Sequence, residues 1–167
     1  MNEIHIRLLA PTDDLSELTR LLNRSYKKMA DRGFSYLAAS QDVEMTKKRI
    51  QEGKCFVATL ENKIIGTICY YFPVRASAHK WYNQPFVASY GQFAVASEFQ
   101  KQGVGNALIQ FVEKLALQDG AMEISIDTAE NATELVNYYK KKGYRFVDHA
   151  QWETANYRSV VLSKRLK

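Results

Sequence analysis

The chain has 167 residues, enough for one domain with a sizeable core but too few for two comfortable ones. Its apolar fraction of 46% and charged fraction of 25% exclude fibrous and low-complexity proteins. The net charge of +5 favours an anionic partner, although the basic residues are dispersed and no nucleic-acid-binding motif accompanies them. We therefore predict a single domain over residues 1–167 that binds no nucleic acid. A small polyanionic ligand would account for the positive charge as well as a nucleic acid would.

The N-terminus and the cysteines bear on the compartment. The opening MNEIHIR lacks the basic and apolar segments of a secretory signal, and no apolar run approaches the roughly 18 residues that span a bilayer. We therefore predict a cytoplasmic protein with no membrane partner. Cys55 and Cys69 form neither a disulfide framework nor a metal-ligand pair. They lie at mirror positions about Asn62, so a contact between paired strands is conceivable.

The first third of the chain predicts one strand and two helices. Residues 4–9 (IHIRLL) begin like a strand. Asp14 and Glu17 resemble a capping box, after which apolar residues recur at helical spacing until Gly33. A shorter helix is then indicated by Val43, Lys47 and Ile50 and ends at Gly53.

The middle of the chain predicts a hairpin, a loop and a further strand. KCFVATL and KIIGTICYYF are rich in β-branched and aromatic residues, and the short Glu61-Asn62 break between them indicates an antiparallel hairpin. Residues 75–89 (RASAHKWYNQPFVAS) have no clean period, which predicts a loop long enough to have a function. Strand character returns in SYGQFAV (89–95), and FQKQGVGNAL (99–108) then leads into an amphipathic helix.

The last third predicts a strand, a helix and two further strands. MEISIDT (122–128) alternates as a strand does. Asn131 and Glu134 resemble a second capping box, which begins a helix that ends at Gly143. YRFVDH and YRSVVLSK close the chain as strands. The order βααβββαβαββ predicts a mixed sheet with helices packed against it and one parallel pair of strands in the middle βαβα unit.

The glycine segment between a strand and a helix predicts an anion site. The first turn of a helix exposes unpaired N–H groups that suit phosphate oxygens. Gly103 and Gly105 allow the backbone to approach a ligand closely, and Lys101 adds attraction. The spacing does not match the P-loop, which needs Gly-Lys-Ser/Thr, or the dinucleotide fingerprint, which needs a third glycine where Leu108 stands. A plain turn that uses glycine for its geometry alone is the alternative.

Two landmarks in this order resemble the GNAT superfamily of N-acetyltransferases. The first is Gln100-x-x-Gly103-x-Gly105 after the strand FAV, and the second is YKKKGYR (139–145), a Tyr four residues before a Gly-aromatic pair. The resemblance covers nearly the whole chain. It implies an α/β (α+β) fold with a mixed, mostly antiparallel twisted sheet of about seven strands flanked by about four helices. It also implies acetyl-CoA as acyl donor.

The resemblance further implies which residues hold the donor. In such enzymes the CoA pyrophosphate lies on main-chain N–H groups of the glycine turn, and the pantetheine arm pairs with the preceding strand, which splays from its neighbour. A polar contact often begins the helix of the second landmark. The implied cofactor-binding residues are Phe93, Ala94, Val95, Gln100, Lys101, Gln102, Gly103, Val104, Gly105, Asn106 and Asn131.

The resemblance implies a direct attack of an amine on the thioester, with strand N–H groups near Val95 stabilising the oxyanion and Tyr139 as general acid. Tyr138 is an alternative acid, and either tyrosine could instead pack in the core. No general base is assigned, because residues 89–96 contain no acidic side chain. A water relay, His79 and a partly deprotonated amine remain open. The three histidines lack metal-ligand spacing, so we expect no metal.

The acceptor site is sought among aromatic residues in the segments that vary within the superfamily. Such residues could line a pocket for an apolar or cationic amine, although each could instead pack in the core. The candidates are Tyr36, His79, Trp81, Tyr82, Trp152 and Tyr157.

We therefore expect an acetyl-CoA-dependent N-acetyltransferase that acts on a primary amine of a small molecule or peptide. The alternative is a non-catalytic acyl-CoA-binding sensor or partner subunit, which the missing base favours. A homodimer is the default expectation for this fold.

Overall fold

A computed structural model of the chain describes residues 3–73 and 77–167. Within these residues lie seven strands and four helices in the order expected from the sequence. Positions 75 and 76 of the predicted loop lie outside the described residues. The elements are β1 His5–Leu8, α1 Leu15–Asp31, α2 Val43–Gln51, β2 Lys54–Leu60, β3 Lys63–Tyr71, β4 Val87–Val95, α3 Val104–Gln118, β5 Glu123–Ala129, α4 Thr133–Lys141, β6 Arg145–Ala150 and β7 Ser159–Arg165.

The strands form one open sheet with the order β1-β2-β3-β4-β5-β7-β6. All neighbouring pairs are antiparallel except β4 and β5, which are parallel, so the predicted mixed sheet is confirmed. The β4–β5 pairing extends from Val87–Glu123 only to Ser89–Ser125. Beyond this point the two strands separate, and the sheet opens between them.

The hairpin of β2 and β3 follows from its two-residue turn. Glu61 and Asn62 have φ values of 49° and 64°, and a turn with two positive φ values matches the twist of antiparallel strands. This register places Cys55 directly opposite Cys69, so the conceivable cross-strand pairing is present. Both cysteines are buried free thiols.

Helices cover both faces of the sheet because side chains of a strand alternate between its faces. On β2, Phe56 and Ala58 belong to the same buried cluster as Leu108 of α3. Val57, between them, belongs to a second cluster with Leu22 of α1. Within the described residues, no helix is both long and apolar enough to cross a membrane.

Two predictions about element ends were wrong. β4 begins at Val87, inside the predicted loop, because residues 87–89 pair with a distant strand that local sequence cannot reveal. The second capping box does not form, since Ala132 is the N-cap of α4 and no side chain caps the helix. The Ala132 N–H donates to the Ala129 carbonyl oxygen at 3.0 Å and so closes a turn before the helix. In this turn Asn131 is exposed and lies one residue before the N-cap position, where its side chain would have been needed.

Candidate active site

The site begins where β4 leaves β5. The register of β3 and β4 shifts between Thr67 and Cys69, and Gln92 in the opposing part of β4 has a φ of 45°. This bulge turns the Gln92 side chain into the protein, where it is 3% exposed. Beyond the bulge, β4 lines a cavity that extends from α1 to α4.

This cavity, termed the β4–β5 cavity, has a volume of about 460 Å³. Its walls come from α1, the end of β4, the glycine turn, β5 and α4. It brings together most of the sequence-predicted donor residues and both candidate tyrosines. These are Phe93, Ala94, Val95, Gln100, Lys101, Gly103, Gly105, Asn106, Tyr138 and Tyr139.

The two glycines of the turn serve different purposes. Gly103 has a φ of 88°, and a Cβ there would meet no atom within 4 Å, so its backbone conformation is what favours glycine. A Cβ on Gly105 would lie 3.2 Å from the ring of Phe93 and 3.6 Å from Tyr138 Oη. Gly105 therefore permits α3 to begin close against β4.

The start of α3 suits an anion. Its first turn contains no acidic residue, and no side chain caps it. Lys101 borders the cavity from the turn, and Lys142 borders it from α4. Lys142 Nζ donates to Asn106 Oδ1 at 2.6 Å and lies 4.8 Å from the centre of the Tyr138 ring. Sequence reasoning missed Lys142, although its place just before Gly143 in the second landmark could have indicated it.

Three predicted donor residues do not line this cavity with their side chains. Val104 is packed in the core at 1% exposure, and Asn131 is exposed before α4. Gln102 Nε2 donates to the Glu98 carbonyl oxygen at 2.8 Å. Gln100, by contrast, joins the turn to β4, because its Nε2 donates to the Val95 carbonyl oxygen at 3.0 Å.

The two tyrosines of α4 occupy different environments. Tyr139 is 5% exposed, and its burial raises the pKa of its phenol well above the usual value. Tyr138 is partly buried, and burial raises its pKa as well. Neither phenol oxygen has a hydrogen-bond partner within residues 3–73 and 77–167. Within these residues, Ser159 Oγ is the only side-chain oxygen or nitrogen that is both fully enclosed and without a partner. Tyr139 Oη has no partner either, so it is not fully enclosed and must be accessible from the cavity.

A second cavity, termed the aromatic cavity, adjoins the first and has a volume of about 400 Å³. Four of the predicted acceptor residues line it, namely Tyr36, Tyr82, Trp152 and Tyr157. The two cavities share Tyr26, Tyr36, Phe93, Ile126 and Asp127 as lining residues.

The other two predicted acceptor residues line neither cavity. His79 Nε2 lies 3.0 Å from the His149 carbonyl oxygen and 3.4 Å from the Asp148 carboxylate. Trp81 Nε1 donates to Ser125 Oγ at 2.8 Å and thereby attaches its short helical turn to β5. The His79 ring nevertheless lies 6.0 Å from that of Tyr82 and 6.4 Å from that of Trp152, two residues of the aromatic cavity.

A carboxylate that sequence reasoning missed lies where the two cavities meet. Asp127 of β5 accepts hydrogen bonds from Tyr82 Oη at 2.9 Å and from Trp152 Nε1 at 2.8 Å. Burial is the main cause that raises the pKa of Tyr157, and the charge of Asp127 adds to it. The signal in the sequence was an acidic residue in an otherwise apolar and hydroxyl-bearing strand, ISIDT.

The chain, with its glycine turn between a strand and a helix, is similar to known proteins. The model of the acetyltransferase (GNAT) family matches residues 15–144. The chain belongs to this family. This GNAT acetyltransferase uses acetyl-CoA as its acyl donor, as the sequence resemblance implied.

Two relatives from Bacillus subtilis (strain 168) are similar to this GNAT acetyltransferase. An S-(2-succino)cysteine N-acetyltransferase is 32% identical over 143 residues, covering 81% of each chain. An S-alkylcysteine N-acetyltransferase is 27% identical over 139 residues, covering 81% of this chain and 76% of the relative. A crystal structure of a GNAT family acetyltransferase from Elizabethkingia anophelis with acetyl-CoA bound has a TM-score of 0.70 at 20% identity, over 98% of both chains.

Proposed function

We propose that this GNAT acetyltransferase acetylates the α-amino group of a small amino acid, with S-substituted cysteines as the first candidates. The observation that supports this is the junction of the two cavities at Asp127. A carboxylate there is suited to an amine, and the aromatic walls beyond it are suited to an apolar substituent. The substrates named for the two Bacillus subtilis relatives have this chemistry.

The β4–β5 cavity is proposed to take the donor. Main-chain N–H groups of the glycine turn, with Lys101 and Lys142 beside them, would hold the pyrophosphate. Hydroxyls of α1 bind the carbonyl oxygens of β4: Tyr26 Oη donates to Phe93 at 2.9 Å, and Ser25 Oγ donates to Val95 at 3.1 Å. These bonds hold β4 beside α1, along the edge that β5 has left, where the pantetheine arm would lie.

The chemistry then needs few protein groups. When bound, acetyl-CoA supplies an acetyl group already activated as a thioester. Asp127 attracts the acceptor ammonium and orients the amine, which loses one proton to solvent and attacks the thioester carbonyl. The C–N bond forms, and the C–S bond then breaks. Tyr139 Oη is protonated at neutral pH, as any phenol is, and lines the cavity; it can give this proton to the departing thiolate and regain one from the nitrogen of the tetrahedral adduct. Asp127 supports an enzyme over a non-catalytic sensor, since it provides a carboxylate for an amine acceptor, although the missing general base that favoured the sensor is not supplied by it.

An amine panel tests the proposal. The purified enzyme is incubated with acetyl-CoA and S-benzylcysteine, S-(2-succino)cysteine, a polyamine or a short peptide, and free thiol is followed. We expect thiol release above background with the cysteine derivatives, and N-acetylated products by mass spectrometry. Gly103→Glu, which places a negative charge at the turn, should abolish acetyl-CoA binding in a calorimetric titration. Acetylation of the peptide or polyamine alone would contradict the proposed acceptor.

A further inference from the structure

We propose that Arg49 is a carboxylate-binding residue of the aromatic cavity, through which the enzyme selects acceptors with a carboxylate next to the amine. Arg49 lies in α2 and lines this cavity together with Asp127. The inference rests on the proposed function, since it concerns the acceptor of the same reaction. It adds the group that recognises the acid part of that acceptor.

The charge of Arg49 lacks an anionic partner in the part of the chain that the structure describes. Its one side-chain hydrogen bond there goes from Nη1 to the neutral Gln41 Oε1, at 2.5 Å. Other arginines bind carboxylates with two nitrogens, as Arg145 does with Glu123 and Arg158 does with Glu130. A guanidinium has five N–H donors, so Arg49 retains donors for an oxygen ligand. A partly buried cation is more stable when an anion accompanies it.

Arg49 is held in place by a buried network of fixed polarity. Arginine can only donate, so Gln41 must present its oxygen to Arg49 and its amide nitrogen to other groups. That nitrogen donates to Thr46 Oγ1 and to Gln92 Oε1, both at 2.8 Å. Gln41 and Gln92 are 4% and 3% exposed, so neither can turn freely to solvent. The guanidinium is thus positioned before any ligand arrives.

Opposite charges are paired in this cavity. Among residues 3–73 and 77–167, the same space is lined by one cation, Arg49, and one carboxylate, Asp127. Both act on shared neighbours, because Asp127 raises and Arg49 lowers the pKa of Tyr26 and of Tyr157. An α-amino acid is a zwitterion whose ammonium and carboxylate are attached to one carbon. A cavity with both complementary charges fits it better than it fits a simple amine.

The test compares two acceptors that differ only in the carboxylate, S-benzylcysteine and S-benzylcysteamine. The wild-type enzyme should have the higher kcat/KM for S-benzylcysteine. Arg49→Met should lower kcat/KM for S-benzylcysteine by about 10- to 100-fold and change that for S-benzylcysteamine by less than about 3-fold. Arg49→Lys keeps the charge but not the planar fork, so its kcat/KM for S-benzylcysteine should lie between those of the wild type and Arg49→Met. Lys48→Met removes one charge from an exposed position of the same helix and should leave kcat/KM unchanged for both acceptors.

Two results would overturn the inference. One is an equal loss for both acceptors in Arg49→Met, which would mean that Arg49 acts only by supporting Gln41. The other is a wild-type enzyme that does not distinguish the two acceptors. If no amine is acetylated at all, the proposed function fails separately. Calorimetric binding of N-acetyl-S-benzylcysteine in the presence of CoA then still tests Arg49, because this probe keeps its carboxylate and Arg49→Met should weaken its binding by about 10-fold or more.

Discussion

At the residue scale, the neighbouring tyrosines of α4 are the main question for the chemistry. Their ring centres are 5.2 Å apart, yet only Tyr139 is surrounded by other aromatic rings of the core, including Tyr144 at 5.8 Å. Tyr138 instead borders Gly105 and Lys142, next to the proposed pyrophosphate position. The spacing in the sequence left both open as the acid. Position and not acidity favours Tyr139, since both phenols are protonated at neutral pH and Tyr138 contacts Lys142 next to the proposed pyrophosphate position.

The first prediction concerns these two phenols. Tyr139→Phe should lower kcat about 10- to 100-fold and leave acetyl-CoA affinity within about 2-fold, because the phenol acts on the leaving thiolate and not on donor binding. Tyr138→Phe is the matched control and should keep kcat. Thiol release and calorimetry measure the two quantities. An unchanged kcat in Tyr139→Phe, with a loss in Tyr138→Phe, would assign the acid to Tyr138.

The second prediction separates backbone strain from ligand approach at the glycine turn. Gly103 and Gly120 have φ values of 88° and 89°, and a Cβ at either position would meet no atom within 4 Å. Alanine at either should therefore lower the free energy of unfolding by a similar amount, about 1–2 kcal/mol. Only Gly103→Ala should also weaken acetyl-CoA binding, by about 10-fold or more. Urea denaturation and calorimetry check the pair, and equal affinities would remove Gly103 from the donor site.

At the element scale, the proposed donor site depends on the separation of β4 and β5. Their pairing ends at Ser89–Ser125, while β4 continues to Val95 and β5 to Ala129. Main-chain groups released from the sheet must find other partners. α1 supplies two of these partners, as the hydroxyls of Ser25 and Tyr26 bind carbonyl oxygens of β4.

The third prediction tests this support from α1. Tyr26 lies in enclosed surroundings that raise its pKa to about 12, so its hydroxyl donates at neutral pH. Tyr26→Phe should lower the free energy of unfolding by about 1 kcal/mol, because the Phe93 carbonyl loses its donor. It should also raise the KM for acetyl-CoA several-fold.

Tyr70→Phe is the control for this prediction. It removes a hydroxyl that donates to Asp119 at 3.1 Å, at the end of α3 away from the cavity. It should cost comparable stability and leave the KM unchanged. If both variants have the same KM, the position of β4 does not depend on Tyr26.

At the scale of the whole molecule, a buried carboxylate joins the three last strands. Glu123 of β5 accepts two hydrogen bonds from Arg145 of β6, at 2.8 and 2.9 Å, and one from Ser163 of β7 at 2.6 Å. Burial alone would raise the pKa of Glu123, but the hydrogen bonds from Arg145 and Ser163 outweigh it and lower the pKa. A carboxyl with a lowered pKa in the folded state stabilises the fold wherever it is ionised.

The fourth prediction follows from this sign. The stabilisation is complete above the pKa of an unfolded Glu, about 4.3, and is lost as the pH falls through the lower pKa of the folded state. Arg145→Met should lower the free energy of unfolding by about 1–2 kcal/mol at pH 7, since the arginine is partly exposed and screened. The difference from wild type should shrink below about pH 4.

The control for the fourth prediction is Arg158→Met, whose partner Glu130 is 32% exposed, against 9% for Glu123. Its free energy of unfolding should change little at either pH. Urea denaturation at pH 7 and pH 3.5 measures both variants. If the free energies of unfolding of the wild type and Arg145→Met differ by the same amount at both pH values, Glu123 is excluded as the titrating group.

The sequence by itself determined the order of the elements and the position of the glycine turn that is proposed to hold the donor. Hydrophobic periodicity and the Glu61-Asn62 break are local signals, and so is the need of Gly103 for a positive φ. The same holds for the two landmarks that indicated the family. Local signals failed at Asn131 and at the start of β4, where a one-residue shift or a distant pairing partner decided the outcome.

Only the tertiary structure decided which groups line the aromatic cavity, the proposed acceptor side. Arg49 is in α2, Asp127 is in β5 and Trp152 follows β6, and nothing in their local sequence relates them. They line one cavity because the parallel crossover places β5 beside β4, while α2 and the segment after β6 pack around the point where those strands separate. The physical reason is that a turn is specified by neighbouring residues, whereas a cavity is specified by the long-range packing of the whole sheet.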